Sequence, residues 1–100
     1  MTNLFTENTN DINREMFDTL LQTPSVHIEK ITSHAQTSDR WYQQDRDEWV
    51  VLIEGEGELL FEDGKKVRLT KGEHIHIKKM KKHKVIYTSS PAIWLAIHFD

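Results

Sequence analysis

The groups in this chain that could do chemistry are six histidines, a run of lysines and a carboxylate set against its densest apolar stretch. That carboxylate, Glu48, directly precedes Trp49-Val50-Val51-Leu52-Ile53. A carboxylate beside a buried strand is stable there only if it is paired, hydrogen-bonded or holding a cation. His83 sits among Lys78, Lys79, Lys81, Lys82 and Lys84. Like charges disfavour its protonation, which keeps the imidazole neutral and able to act as a ligand or base. His98 shares a strand face with Trp94 and Ala96 and can reach a pocket lined by that face. His74 and His76 form the only His-x-His pattern. Ile75 and Ile77 alternate with them and claim the core side, which turns both histidines to solvent. His27 and His34 carry no pattern. The absence of cysteine removes thiolate metal sites, thiol nucleophiles and disulfides. There is no Gly-x-Ser-x-Gly, no phosphate-cradling glycine loop and no His-Glu-x-x-His. Any catalysis must therefore come from a metal or from the pocket itself.

The elements that position these groups follow from patterning. One hundred residues make one domain, and 37% hydrophobic residues give a modest core with room for help from a partner subunit. Trp49–Ile53 lacks polar alternation and stops at Gly55 and Gly57, which predicts a strand covered on both faces. A second copy of the chain would supply the outer cover, so a homodimer is expected, with Ile12–Leu21 as the competing cover. In that segment Ile12, Met16, Leu20 and Leu21 recur at helical spacing behind Asp11 as N-cap, and Pro24 ends the pattern. This predicts a short helix, although Phe17 and Thr19–Leu21 also suit an edge strand. Val26–Ile31 reads as the first strand and residues 33–40 as a polar connection. Asp63-Gly64, between Leu59/Phe61 and Val67/Leu69, predicts a hairpin with a type I′ turn. Lys71-Gly72 makes another turn. Val85–Tyr87 and Ala92–Phe99 are the last strands, around Pro91. Short, regularly spaced strands of this kind predict an all-β sandwich or closed barrel.

A formal net charge of −3 argues against nucleic acid as a partner. The run Lys78–Lys84 is read as a solvated loop or strand end. The N-terminus has no basic start or apolar core of a secretory signal, and no apolar run approaches membrane-spanning length. The expectation is a soluble, cytoplasmic protein that acts away from membranes.

The spacing of particular residues resembles the cupins. Glu48, six residues and Gly55 match the second half of the first cupin motif. Gly72, five residues, then Lys78, Met80 and His83 keep the spacing of the second motif, with Lys78 and Met80 in place of its proline and glycine. The two histidines of the first motif fall on Tyr42 and Gln44, or on Trp41 and Gln43. The resemblance implies an antiparallel jelly-roll barrel over residues 25–100, with an N-terminal helix or strand extension over 1–24. It also implies one divalent metal (Zn, Mn, Ni or Fe) on Glu48 and His83. Gln44, on the face that carries Tyr42, Glu48, Val50 and Leu52, would replace a lost histidine as third ligand. An amide oxygen is a poorer donor than imidazole, so the metal is expected to be weakly held. Tyr42, Trp94 and His98 are the expected pocket contacts. The function implied is a module that binds a small molecule inside the barrel. The alternative is a metal-dependent oxygenase or isomerase using Glu48 and His83.

Overall fold

The computed structural model describes residues 2–100. Its strands are β1 (Met16–Gln22), β2 (Val26–Ser33), β3 (Asp47–Glu54), β4 (Glu56–Phe61), β5 (Lys66–Thr70), β6 (His74–Ile77), β7 (His83–Thr88) and β8 (Ala92–Phe99). They form a five-stranded sheet in the order β1-β2-β8-β3-β6 and a three-stranded sheet in the order β5-β4-β7. Every pairing is antiparallel. No helix among the described residues is long and apolar enough to cross a membrane.

The two-residue period of β3 and β8 builds the core. Val50 and Leu52 of β3 and Trp94 and Ala96 of β8 point inward, each no more than 4% exposed, onto Leu59 and Phe61 of the smaller sheet. Gly57 is required where the sheets approach. A Cβ there would stand 2.3 Å from the Trp94 ring, so the indole occupies the space a side chain would take. The outward residues Trp49 and Val51 are only half-buried, so one face of the apolar run is covered within the chain and the other is not.

Three local expectations are corrected. The predicted helix over Ile12–Leu21 does not form, and β1 instead pairs with β2, with a bulge between Thr19 and Leu21. A helix this short is marginal alone, whereas the edge of β2 offers a full row of backbone partners. Asp11 accepts from the Asn13 backbone N–H at 2.9 Å in a local turn and caps nothing. Ile12, Phe17 and Leu21 are at least half exposed, so the helical spacing has no core to serve. The Asp63-Gly64 hairpin forms, pairing Leu59 with Val67, but not through a type I′ turn. The Gly64 N–H donates to the Phe61 carbonyl at 2.9 Å across Glu62 and Asp63. Only Gly64 has positive φ, at 91°. The connection is therefore a three-residue loop whose glycine follows the turn proper. Val26–Ile31 lies within the second strand of the chain, not the first.

The Lys78–Lys81 turn positions the site. Met80, at the position where the second motif carries glycine, has φ of 67° and so adopts the left-handed conformation that glycine supplies without strain. Its N–H donates to the Gln44 carbonyl at 2.6 Å, and its carbonyl accepts from the Gln43 side-chain amide at 2.9 Å. Tyr42 and His83 exchange backbone bonds of 2.8 and 3.0 Å. The segment ahead of β3 is thereby laid along the start of β7.

Candidate functional site

Antiparallel register places Glu48 of β3 directly opposite His98 of β8, and His98 opposite His27 of β2. Glu48 is 8% exposed and both of its oxygens are engaged. Oε2 lies 3.4 Å from His98 Nε2, and Oε1 lies 3.8 Å from His83 Nε2. The Gln44 amide donates to Oε1 at 2.6 Å. Burial alone would raise the Glu48 pKa. The His98 contact, the charges of His98 and His83 and the Gln44 bond together outweigh burial and hold the carboxyl below its ordinary range. The same contact raises His98, against partial burial, with help from the charges of Glu48 and Glu29. His83 Nδ1 is 3.0 Å from the Lys81 carbonyl, which can only accept. Nδ1 therefore carries a proton, and Nε2 faces Glu48.

These groups wall a cavity of about 260 Å³. Val50, Leu59, Ile77, Val85 and Trp94 line its apolar part, and Tyr42 and Lys84 also line it. The expected site residues Tyr42, Gln44, Glu48, His83, Trp94 and His98 all meet here. His74 and His76 are elsewhere, on exposed positions of β6, where His74 accepts from the Trp49 indole at 3.2 Å and His76 meets Asp47 at 3.1 Å. Two acidic residues of the lining, Glu15 and Glu29, were not anticipated. Burial raises the pKa of Glu29, offset in part by the charges of His98 and His27. Burial also raises that of Glu15, offset by the Ser33 hydroxyl, which donates to it at 2.7 Å. The alternation His27, Glu29, Ile31 could have placed Glu29 on the inner face, given the pairing of β2 with β8.

The donor set can be tested for a metal. Glu48 Oε1 and His83 Nε2 face one another at a spacing that two ligands of one ion can adopt. A third donor is lacking. An ionised carboxylate only accepts hydrogen bonds, so Gln44 must turn its NH₂ toward Glu48 and its amide oxygen away. His98 is spent on the other carboxylate oxygen. Among the described residues no three histidine, cysteine or acidic side chains are arranged around one point. Catalytic sites hold their metal with three protein ligands, and this set does not fit such a metal.

The Cupin domain family model matches residues 27–98. A crystal structure from Ralstonia eutropha JMP134, provisionally named a mannose-6-phosphate isomerase, is similar at 30% identity and a TM-score of 0.92, covering 100% of this chain and 97% of that one. A cupin superfamily protein from Desulfitobacterium hafniense DCB-2 shares the fold at 18% identity and a TM-score of 0.78, covering 87% and 78%. So does a cupin 2 conserved barrel domain protein from Leptotrichia buccalis at 20% identity and 0.79, covering 95% and 44%. No curated protein matches the chain. The family model spans most of the sequence, from β2 through β8, and the motif residues Glu48, Gly55, Gly72 and His83 lie inside it. The chain belongs to the Cupin domain family.

Proposed function

We propose that the two sheets wrap as a jelly-roll barrel and that the protein binds a small molecule in the cavity over Glu48. One observation carries this reading. An ionised carboxylate, 8% exposed, stands on the wall of a 260 Å³ cavity whose other walls are largely apolar. Such a cavity takes a compact ligand with an apolar body and a hydrogen-bond donor. The donor meets Glu48, and the body packs on Val50, Ile77 and Trp94. His98 and Gln44 keep the carboxylate ionised and oriented, so binding needs no proton rearrangement in the protein. The test is a thermal-shift screen of donor-bearing small molecules, followed by NMR mapping of each hit. Ligands should perturb the Trp94 indole and His98 ring signals, and Glu48→Gln should abolish the shift. Hits that perturb only residues outside the cavity would overturn the reading.

A divalent ion is the second reading, favoured by two potential ligand atoms that face one another, Glu48 Oε1 and His83 Nε2. An ion between them would have two protein ligands, would exchange readily and would be lost to chelators. Gln44 would join as third ligand only by turning its amide over and giving up its bond to Glu48. Metal content of tag-free protein, wild type against Glu48→Gln and His83→Ala, checks this. Stoichiometric metal in the wild type, lost in both variants, would support a metal site and reopen the enzyme reading.

A further inference from the structure

Given the small-molecule binding proposed above, on which this rests, we infer that the ligand is a compact organic amine, held as its ammonium ion by Glu29 and Glu15 together with Glu48. The cavity defines the site, and the carboxylates set the sign of the charge it accepts. Register brings them to one wall. Glu48 of β3 lies opposite His98 of β8, and Glu29 of β2 lies opposite Ala96, the neighbour of His98 on the same face of β8. Glu15 directly precedes β1, and the Ser33 hydroxyl at the end of β2 donates to it at 2.7 Å. All three glutamates line the cavity. Burial raises the pKa of both Glu29 and Glu15, and a neighbouring carboxylate adds to each rise, Glu48 for Glu29 and Glu29 for Glu15.

The protein's own cations leave these charges unbalanced. Among the described residues the three carboxylates have only His27, His83 and His98 within ion-pair distance, and no lysine or arginine. Glu15 has none of these. His98, whose contact with Glu48 raises its pKa, is committed to that carboxylate at 3.4 Å. Lys84 also lines the cavity, but its ammonium lies 4.6 Å from the centroid of the Trp41 ring, and Trp41 is not part of the lining. Carboxylates drawn together in a largely apolar enclosure favour a ligand that brings the missing positive charge. The same arrangement selects an organic cation over a metal ion. The carboxylates are spread along the wall, and among the described residues no three acidic or histidine side chains surround one point. An ammonium group needs no closed shell of ligands at fixed short distances. It offers several N–H donors on an apolar body, and Ile31, Val50, Leu59, Ile77 and Val85 line the rest of the cavity.

Three probes built on one ring separate charge from fit: cyclohexylamine, cyclohexanol and cyclohexanecarboxylate. Titrated near neutral pH and followed by NMR at the Trp94 indole, the amine should bind about tenfold or more tighter than the alcohol, and the carboxylate most weakly. Glu29→Gln should bring the ratio of amine to alcohol affinity down toward unity, and Glu15→Gln should lower it by a smaller factor. Glu58→Gln, which lies outside the cavity beside Arg68, should leave the ratio alone. A ratio keeps loss of folding apart from loss of charge recognition, because a collapsed cavity loses both probes. Equal binding of amine and alcohol at Trp94, or preference for the carboxylate, would overturn the inference and leave the cavity as a binding site. An amine preference that survives Glu29→Gln and Glu15→Gln combined would overturn it equally. If none of the three probes perturbs Trp94, small-molecule binding itself fails, and the amine falls with it.

Discussion

The two ends of the space between the sheets are built from the same strands and finished in opposite ways. At one end Trp94 of β8 lies on Gly57 of β4, and the indole fills the gap so closely that no methyl fits. At the other end β3 and β8 present Glu48 and His98, whose mutual attraction holds both side chains on one wall and leaves a cavity in front of them. A protein this small can keep a cavity only if its lining is held by something other than mutual packing. Here a polar cluster does the holding. The closed end supplies the stability that the open end gives up.

Mutations can break this contrast from either side. The largest effect is expected at the closed end. Trp94→Ala removes a ring that is 4% exposed, and chemical denaturation should show a loss of about 3–5 kcal/mol. Gly57→Ala tests the same contact by overfilling it and should cost about 1–3 kcal/mol, because the indole must move into the cavity. That variant should also weaken binding of any cavity ligand, which calorimetry would detect. An unchanged midpoint would mean that the two sheets separate freely at this end.

At the open end the expected signature is pH dependence. Glu48 is depressed, so its contribution is present above its unfolded pKa and is lost as pH falls through the still lower folded value. His98 is raised, so its contribution is complete below its unfolded pKa and is lost as pH rises through the higher folded value. The pair is therefore fully stabilising between about pH 4.5 and 6.5, the unfolded values of the two groups. Glu15 and Glu29, both raised by burial, act in the direction of His98. Melting temperature should peak in mildly acidic solution. His98→Gln should remove the decline above about pH 6.5, whereas the cost from Glu15 and Glu29 sets in as pH rises past their unfolded value of about 4.5. The smallest effect concerns the turn that carries Gln44. Met80 is 54% exposed at positive φ, so Met80→Gly relieves strain with little loss of packing. Thermal unfolding should report a gain of up to about 1 kcal/mol. A loss would show that the methionine side chain supports the turn.

Much of this arrangement was legible in the sequence because it rests on period and spacing. Two-residue alternation along β3 and β8 put Glu48, Val50 and Leu52 on one face and Trp94, Ala96 and His98 on another. The spacing from Gly72 to His83 pointed to the second motif. What was not legible depends on which strands become neighbours. Glu29 and Glu15 reach the cavity only because β2 pairs with β8 and β1 with β2, over separations that no local pattern encodes. The pairing of Glu48 with His98 has the same origin, since β3–β8 register sets them opposite each other. The N-terminal segment misled for a different reason. Residues at i, i+4 and i+8 share one side of a helix, and a bulged edge strand tolerates the same composition when its side chains remain in solvent. In the 62–64 loop, Asp-Gly is compatible with either of two hairpin turns, and loop length, not the dipeptide, decides between them.

The clasp between Tyr42 and His83 has a consequence for how the site opens. Glu48 belongs to a strand paired on both edges, whereas Gln44 is held by the Met80 N–H and by the two bonds between Tyr42 and His83. In native-state hydrogen exchange the Val50 and Leu52 amides should be released only by global unfolding. Those of Tyr42, Met80 and His83 should exchange together through a smaller, local opening. One half of the cavity wall would then turn over many times during the lifetime of the other, giving a solute a way in without disturbing the sheet behind it.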